Sequence, residues 1–147
     1  MSHPPDNKLH KLNVLAALNQ LESAASLLEI SRPSLKTSIA VPLFVLASFT
    51  QYYCHKYLAS LVKYTLPERQ MFRWVVCPHY TSECLIYTAL AILAAPKGHL
   101  FNGTALAGLG FVVTNLAVSA DSTRKWYEQK FGEKKLQGRW RMVPYVF

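Results

Sequence analysis

LFNGTALAGLGFVVTNLAVSA, residues 100–120, contains no Asp, Glu, Lys or Arg. A bilayer core needs about 20 mostly apolar residues in a helix, and Leu100 to Ala120 supplies such a run. Within it Gly103 and Ala107, and Thr104 and Gly108, are small residues four apart, a spacing that lets helices approach closely. The reading is an integral membrane protein: all-α, a multi-span transmembrane helical bundle of about three spans with an N-terminal amphipathic helix.

Working outward, Lys97-Gly98-His99 makes the turn before this span. Upstream, Thr81-Ser82-Glu83 reads as a helix start, because Ser or Thr can cap and Glu favours the first turn. That block runs through Leu85, Ile86, Leu90, Ile92 and Leu93 to Pro96. It is short, and crosses if tilted or if part of Phe72 to Val76 is submerged. A further block, Ile39 to Tyr64, places Pro42 in its first turn and becomes polar at Gln51, His55 and Lys56. The loop between these blocks is Thr65 to Tyr80. From Lys8 to Ile30, Leu12, Leu15, Leu18, Leu21 and Leu28 fall near helical spacing, an amphipathic helix that Arg32-Pro33-Ser34 ends. The division is therefore a variable segment, 1–36, and a membrane domain, 37–147.

The 147 residues are 51% hydrophobic and carry a formal charge of +8, but the two are segregated. Seven of the sixteen Lys and Arg residues (Arg124, Lys125, Lys130, Lys134, Lys135, Arg139, Arg141) lie in the last segment against Asp121, Glu128 and Glu133. Three crossings put the Thr65 to Tyr80 loop, with Arg69 and Arg73, on the same side as this tail, and the positive-inside tendency makes that side cytosolic. No helix-turn-helix, zinc finger or stacking motif accompanies the charge, so nucleic acid is not the expected partner. Cys54, Cys77 and Cys84 form no CxxC pair, and the spacing of Cys77, His79 and Cys84 does not suit a metal, so the thiols read as structural. Met1 to Asp6 lacks the order of a signal peptide, leaving membrane entry to the internal spans. Asn102-Gly103-Thr104 matches a glycosylation sequon that abuts the membrane and is expected to stay unused.

Gln51 and His55 are four apart and share a helix face. Polar groups at membrane depth are costly unless they face protein or a wet cavity, so the pair marks either a site or a helix–helix hydrogen bond. The loop and tail hold the densest chemistry: Arg73 to Glu83, then Arg124 to Tyr127, then Arg139 to Phe147. Cations there suit phosphates, and aromatic or amide-like groups suit a nicotinamide or adenine ring. The plainer reading of the tail is a basic stretch that binds anionic lipid.

From about Ser48 onward, Pro78-His79-Tyr80-Thr81-Ser82-Glu83, Lys125-Trp126-Tyr127, Arg139 and Pro144-Tyr145-Val146-Phe147 stand in an order that resembles the steroid 5α-reductases, within them the polyprenol (polyprenal) reductase branch. The resemblance implies NADPH as cofactor, with contacts from Gln51, His55, His79, Tyr80, Glu83, Tyr127 and Arg139. Gln51-x-x-x-His55, Ser119 and Thr123 depart from the steroid branch and point to a polyisoprenoid lipid substrate. The Tyr and Glu with which the family polarises the substrate carbonyl have no counterpart in Met1 to Lys36, so catalytic residues are unassigned and the chain reads as the cofactor-holding half. The implied reaction is NADPH-dependent reduction of the α-isoprene double bond of polyprenal or polyprenol toward dolichol. This feeds dolichol-linked glycan synthesis for protein N-glycosylation at the endoplasmic reticulum membrane, with a cytosolic C-terminus.

Two other readings remain. Membrane methyltransferases of the isoprenylcysteine or phospholipid type also join a Pro-x-Tyr loop to a terminal aromatic-Gly stretch like Tyr127 to Gly132, but Val76-Cys77-Pro78 and Asp121-Ser122-Thr123 replace their Arg-His-Pro and paired Glu. A catalytically inactive membrane fragment is the third.

Overall fold

The computed structural model describes residue 11 and residues 14–20, 34–63 and 65–147. Two units are distinguished, Met1–Pro33 and Ser34–Phe147. In the first, residues 14–20 are helical with Val14, Leu15 and Leu18 exposed; the remainder of the expected Lys8 to Ile30 helix lies outside the described residues.

The second unit is built on three helices, α1 (Leu35–Ser60), α2 (Pro78–Leu93) and α3 (Gly103–Phe131), with 3-10 turns at Gln70–Arg73 and Glu133–Leu136. Among the described residues its extended pairing is a single parallel bridge between Val75 and Trp140. The all-α expectation holds.

Helix α1 starts earlier than the apolar pattern suggests because Ser34 caps it, its hydroxyl accepting from the Thr37 amide at 3.4 Å. Pro42 therefore sits inside the helix rather than in its first turn. Helix α2 starts at Pro78, with Cys77 as its cap residue, three residues before the expected Thr81. Proline at a first helical position loses nothing, since its missing N–H would be unpaired there anyway. Ser82 is instead buried and donates to the Pro78 carbonyl at 3.2 Å. Helix α3 is capped by Asn102, whose side chain accepts from the Ala105 amide at 3.0 Å and donates to the Ala94 carbonyl at 3.1 Å. The amide of the sequon is thus engaged in ending one helix and beginning the next.

The helices run up, down and up, with α2 packed between α1 and α3. Small side chains line the seams: Ala40, Ala47 and Cys54 on α1, Ala89 and Ala91 on α2, Ala120 on α3. The α1 set recurs every seven residues, which keeps one narrow stripe against its neighbour. Lys36, at the start of α1, donates to the carbonyls of Pro96 and His99 and ties that end of the helix to the α2–α3 turn.

At 1.5 Å per residue α3 is about 43 Å long and α2 about 24 Å. Among the described residues α3 is the one helix both long and apolar enough to cross a membrane, and only 6% of its most apolar window is buried within the chain. A soluble core helix would hide that surface. The second and third expected crossings do not meet the same test: α2 has 16 residues, and α1 carries Gln51, His55 and Lys56 in its second half. Large buried side chains, Phe72, Leu136, Pro78 and Cys77, gather at the end where the 65–77 loop meets the tail.

Candidate functional site

Loop and tail are stitched together backbone to backbone. The Val76 amide donates to the Trp140 carbonyl at 2.8 Å, Cys77 to Arg141 at 3.0 Å, and Trp140 back to Trp74 at 2.8 Å. Thr81 adds its hydroxyl to the Met142 carbonyl. Beneath this seam Leu66, Val76, Cys77, Ala120, Leu136 and Met142 form one apolar cluster, against which Tyr80 and Tyr127 pack. The Cys77 thiol lies against Thr123 and is pushed by burial up to about 12, so it is inert as a nucleophile and serves as packing.

On this floor α1 and α2 meet antiparallel. The step from Gln51 to His55 and the reverse step from Glu83 to His79 bring four polar residues into two rungs. Gln51 Nε2 donates to Glu83 Oε2 at 3.2 Å. His55 stands edge-on to His79 with ring centroids 5.2 Å apart, and Tyr80 follows at 4.3 Å from His79. Phe72 closes the other side, 6.1 Å from His79. Spacing on α1 alone left a site and a helix–helix bond both open; the Gln51 amide makes such a bond, while the histidine rung keeps hydrogen-bonding capacity unspent.

That capacity is specific. Among the described residues His79 Nδ1 is buried without a hydrogen-bond partner. Burial, reinforced by the neighbouring His55, pushes the His79 imidazole down to about 4, so the ring is neutral near pH 7 and offers one donor and one acceptor. His55 is exposed, so the rung opens outward at one end. The Gln51 amide, the Glu83 carboxylate and a neutral imidazole with a spare nitrogen suit a planar carboxamide of the nicotinamide kind, which needs both donors and acceptors.

Tyr127 joins the site from α3 through the shared cluster with Tyr80. Arg139 is placed differently. Its guanidinium, only 13% exposed, donates to the carbonyls of Pro67 at 2.9 Å and Phe72 at 3.2 Å and lies 3.8 Å from Glu68. Its described contacts hold the loop that carries Phe72 against His79. Sequence reasoning passed over Tyr57, whose hydroxyl accepts from the amides of Glu68 and Arg69, both at 3.2 Å, and whose ring lies 5.4 Å from Phe72. It also passed over Arg141, paired with Asp121 at 2.6 Å. The signal for Tyr57 was its place half a turn beyond His55; nothing in sequence marks Asp121 and Arg141 as partners.

Residues 20–147 match the family model described as 3-oxo-5-alpha-steroid 4-dehydrogenase. The chain belongs to that family. Among curated proteins it is 36% identical over 121 residues to a polyprenal reductase of Saccharomyces cerevisiae, covering 82% of this chain and 44% of that protein. It is 33% identical over 118 residues to polyprenal reductase 1 of Oryza sativa subsp. indica, covering 74% and 31%. With polyprenal reductase 1 of Arabidopsis thaliana it shares 30% over 145 residues, covering 94% and 41%. The chain thus spans less than half the length of each of these relatives. No solved structure matches.

Proposed function

We infer that this member of the 3-oxo-5-alpha-steroid 4-dehydrogenase family takes part in NADPH-dependent reduction of the α-isoprene double bond of a polyprenal, or the corresponding polyprenol, toward dolichol. The observation that carries the reading is the double rung of Gln51–Glu83 and His55–His79 at the loop and tail end, in a chain similar to polyprenal reductases. When bound, NADPH supplies a hydride, which an alkene accepts readily only if conjugated to a carbonyl, so a polyprenal is the easier substrate.

Gln51, Glu83 and His79 would hold the carboxamide by hydrogen bonds, and Phe72 with Tyr80, both against the His79 ring, would shield that face from water. His55 and Tyr127 complete the walls, and Arg139 keeps the loop closed. The isoprenoid chain approaches from the bilayer. In this reading the protein is multi-pass in the endoplasmic reticulum membrane, with loop and tail on the cytosolic side. Its product would feed dolichol-linked glycan synthesis for N-glycosylation.

Expression of the chain in a reductase-deficient cell, with polyprenol and dolichol measured by mass spectrometry, tests the activity. A rise in dolichol is expected, and an unchanged ratio removes the activity from this chain. Titration of the purified protein with NADPH, followed by tryptophan fluorescence, tests the cofactor; no saturable change refutes it.

A further inference from the structure

From Thr37 to His55 no Asp, Glu, Lys or Arg interrupts α1. Ala40, Ala47 and Cys54 seal one face of the helix, while Val45, Phe49 and Tyr52 on another are exposed. That open face carries a groove of about 400 Å³ lined by Phe44, Val45, Ser48, Phe49 and Tyr52. Ser48 is the smallest side chain in the lining, with Phe44 one turn before it and Tyr52 one turn after, so the groove is notched at its middle. Tyr52 is steadied at the far end by Tyr53, ring centroids 5.6 Å apart, and by Lys56, whose ammonium lies 6.0 Å from the ring.

The groove runs into the histidine rung. Phe44, Ser48, Gln51 and His55 follow one another at steps of four, three and four, and so share a helix face. At 1.5 Å per residue Ser48 stands about 10 Å from His55 along the axis. His55, the exposed member of its rung, thus lies at the end of the groove. Lys36 ties the start of α1 to the turn before α3, which sets the groove at the depth of the uncharged run of α3.

Apolarity alone does not select a ligand for such a surface, because lipid tails are as apolar as a leucine side chain. Shape does. An unbranched acyl chain leaves a notch part-filled, whereas a chain with a methyl branch on every isoprene unit places one in it and gains dispersion contacts. We propose that this groove seats the polyisoprenoid tail of the substrate, with a methyl branch beside Ser48 and the functional end of the chain at His55. The choice of ligand rests on the reductase reading; the groove itself is built by α1 without the cofactor rungs.

Photolabelling of the full chain in phosphatidylcholine nanodiscs with a diazirine-bearing geranylgeraniol, mapped by mass spectrometry, tests it. Label is expected to concentrate on residues 44–52. Unlabelled geranylgeraniol should compete about tenfold better than octadecanol, the low end for one seated methyl group. Ser48→Leu, which fills the notch, should lower labelling about tenfold on the same reasoning. Phe49→Ala, at an exposed position where truncation leaves the core intact, should lower it as well, while Leu46→Phe, exposed but outside the lining, leaves it unchanged. Label spread evenly over α1 and α3, or equal competition by octadecanol, identifies ordinary lipid-facing surface and overturns the proposal. Saturable NADPH binding without labelling of α1 overturns the groove and spares the reductase reading. The expected labelling in protein that does not bind NADPH upholds the groove and counts against the cofactor alone.

Discussion

Replacing Arg139 by alanine is expected to open the 65–77 loop. The guanidinium donates to two carbonyls, Pro67 at 2.9 Å and Phe72 at 3.2 Å. Hydrogen bonds from a charged donor contribute about 1.5 to 3 kcal/mol each. Taking the low end for both, because the second is longer, gives about 3 kcal/mol. The Glu68 partner, at 3.8 Å and with its side chain 60% exposed, adds little. About 3 kcal/mol raises the open population of the loop on the order of 100-fold. Arg69 and Arg73, both in this loop, are cut by trypsin only when the backbone opens. Tryptic cleavage at these two sites should therefore accelerate on the order of 100-fold in Arg139→Ala, and about tenfold in Arg139→Lys, which restores one of the two bonds. If the proposed NADPH site is closed by this loop, NADPH affinity falls as closure is lost, in the same order. An unchanged cleavage rate together with lost NADPH binding would refute this reasoning and make Arg139 a direct ligand contact.

Stability of the loop and tail end should fall with pH through one ring. The folded His79 imidazole sits near 4 against an ordinary 6.5, so the unfolded state binds more protons between those values and stability declines as pH drops from about 6.5 toward 4. Tryptophan-detected unfolding at a series of pH values should show this slope reduced in His79→Phe, and an equal slope would discount burial of the neutral ring. Gln51→Leu leaves the half-buried Glu83 without its partner and should destabilise the protein by about 1 to 2 kcal/mol, more than the double variant Gln51→Leu/Glu83→Leu; a denaturant midpoint that ranks them the other way counts against the bond. Lys36→Met should speed amide exchange at Lys97 to Leu100 about tenfold, since two turn carbonyls lose a charged donor. Exchange that stays the same would show the turn to be self-supporting.

What was legible in the sequence followed helical periodicity. The uncharged run to Ala120 and the pair Gln51 and His55 depend only on spacing, and α3 and the two rungs use that spacing directly. Glu83 was legible as part of a motif, though its bond to Gln51 follows from the antiparallel crossing of α1 and α2. Other features depend on contacts far apart in sequence. Arg139 sits 67 positions from the Phe72 carbonyl it holds, and no local pattern distinguishes a cation that grips backbone from one awaiting phosphate. Helix α3 continues to Phe131 although its apolar run stops at Ala120, because Arg124 and Glu128, four apart, support the polar extension. The starts of α1 and α2 were misplaced for different reasons: for α1 the reading followed hydrophobicity past the Ser34 cap, and for α2 it took Thr81-Ser82-Glu83 as cap and first turn although Pro78 already occupies a first helical position.

The bridge between Val75 and Trp140 also bears on the order of events during synthesis. Helices α1 and α2 contain both rungs, yet the backbone partners of Trp74, Val76 and Cys77 are supplied by Trp140 and Arg141, which the ribosome adds some sixty residues later. Until then the half-built site has its polar residues in place and its loop undocked. Any nascent intermediate therefore lacks the backbone partners of its loop, and closure waits for residues that follow α3 and the Glu133–Leu136 turn.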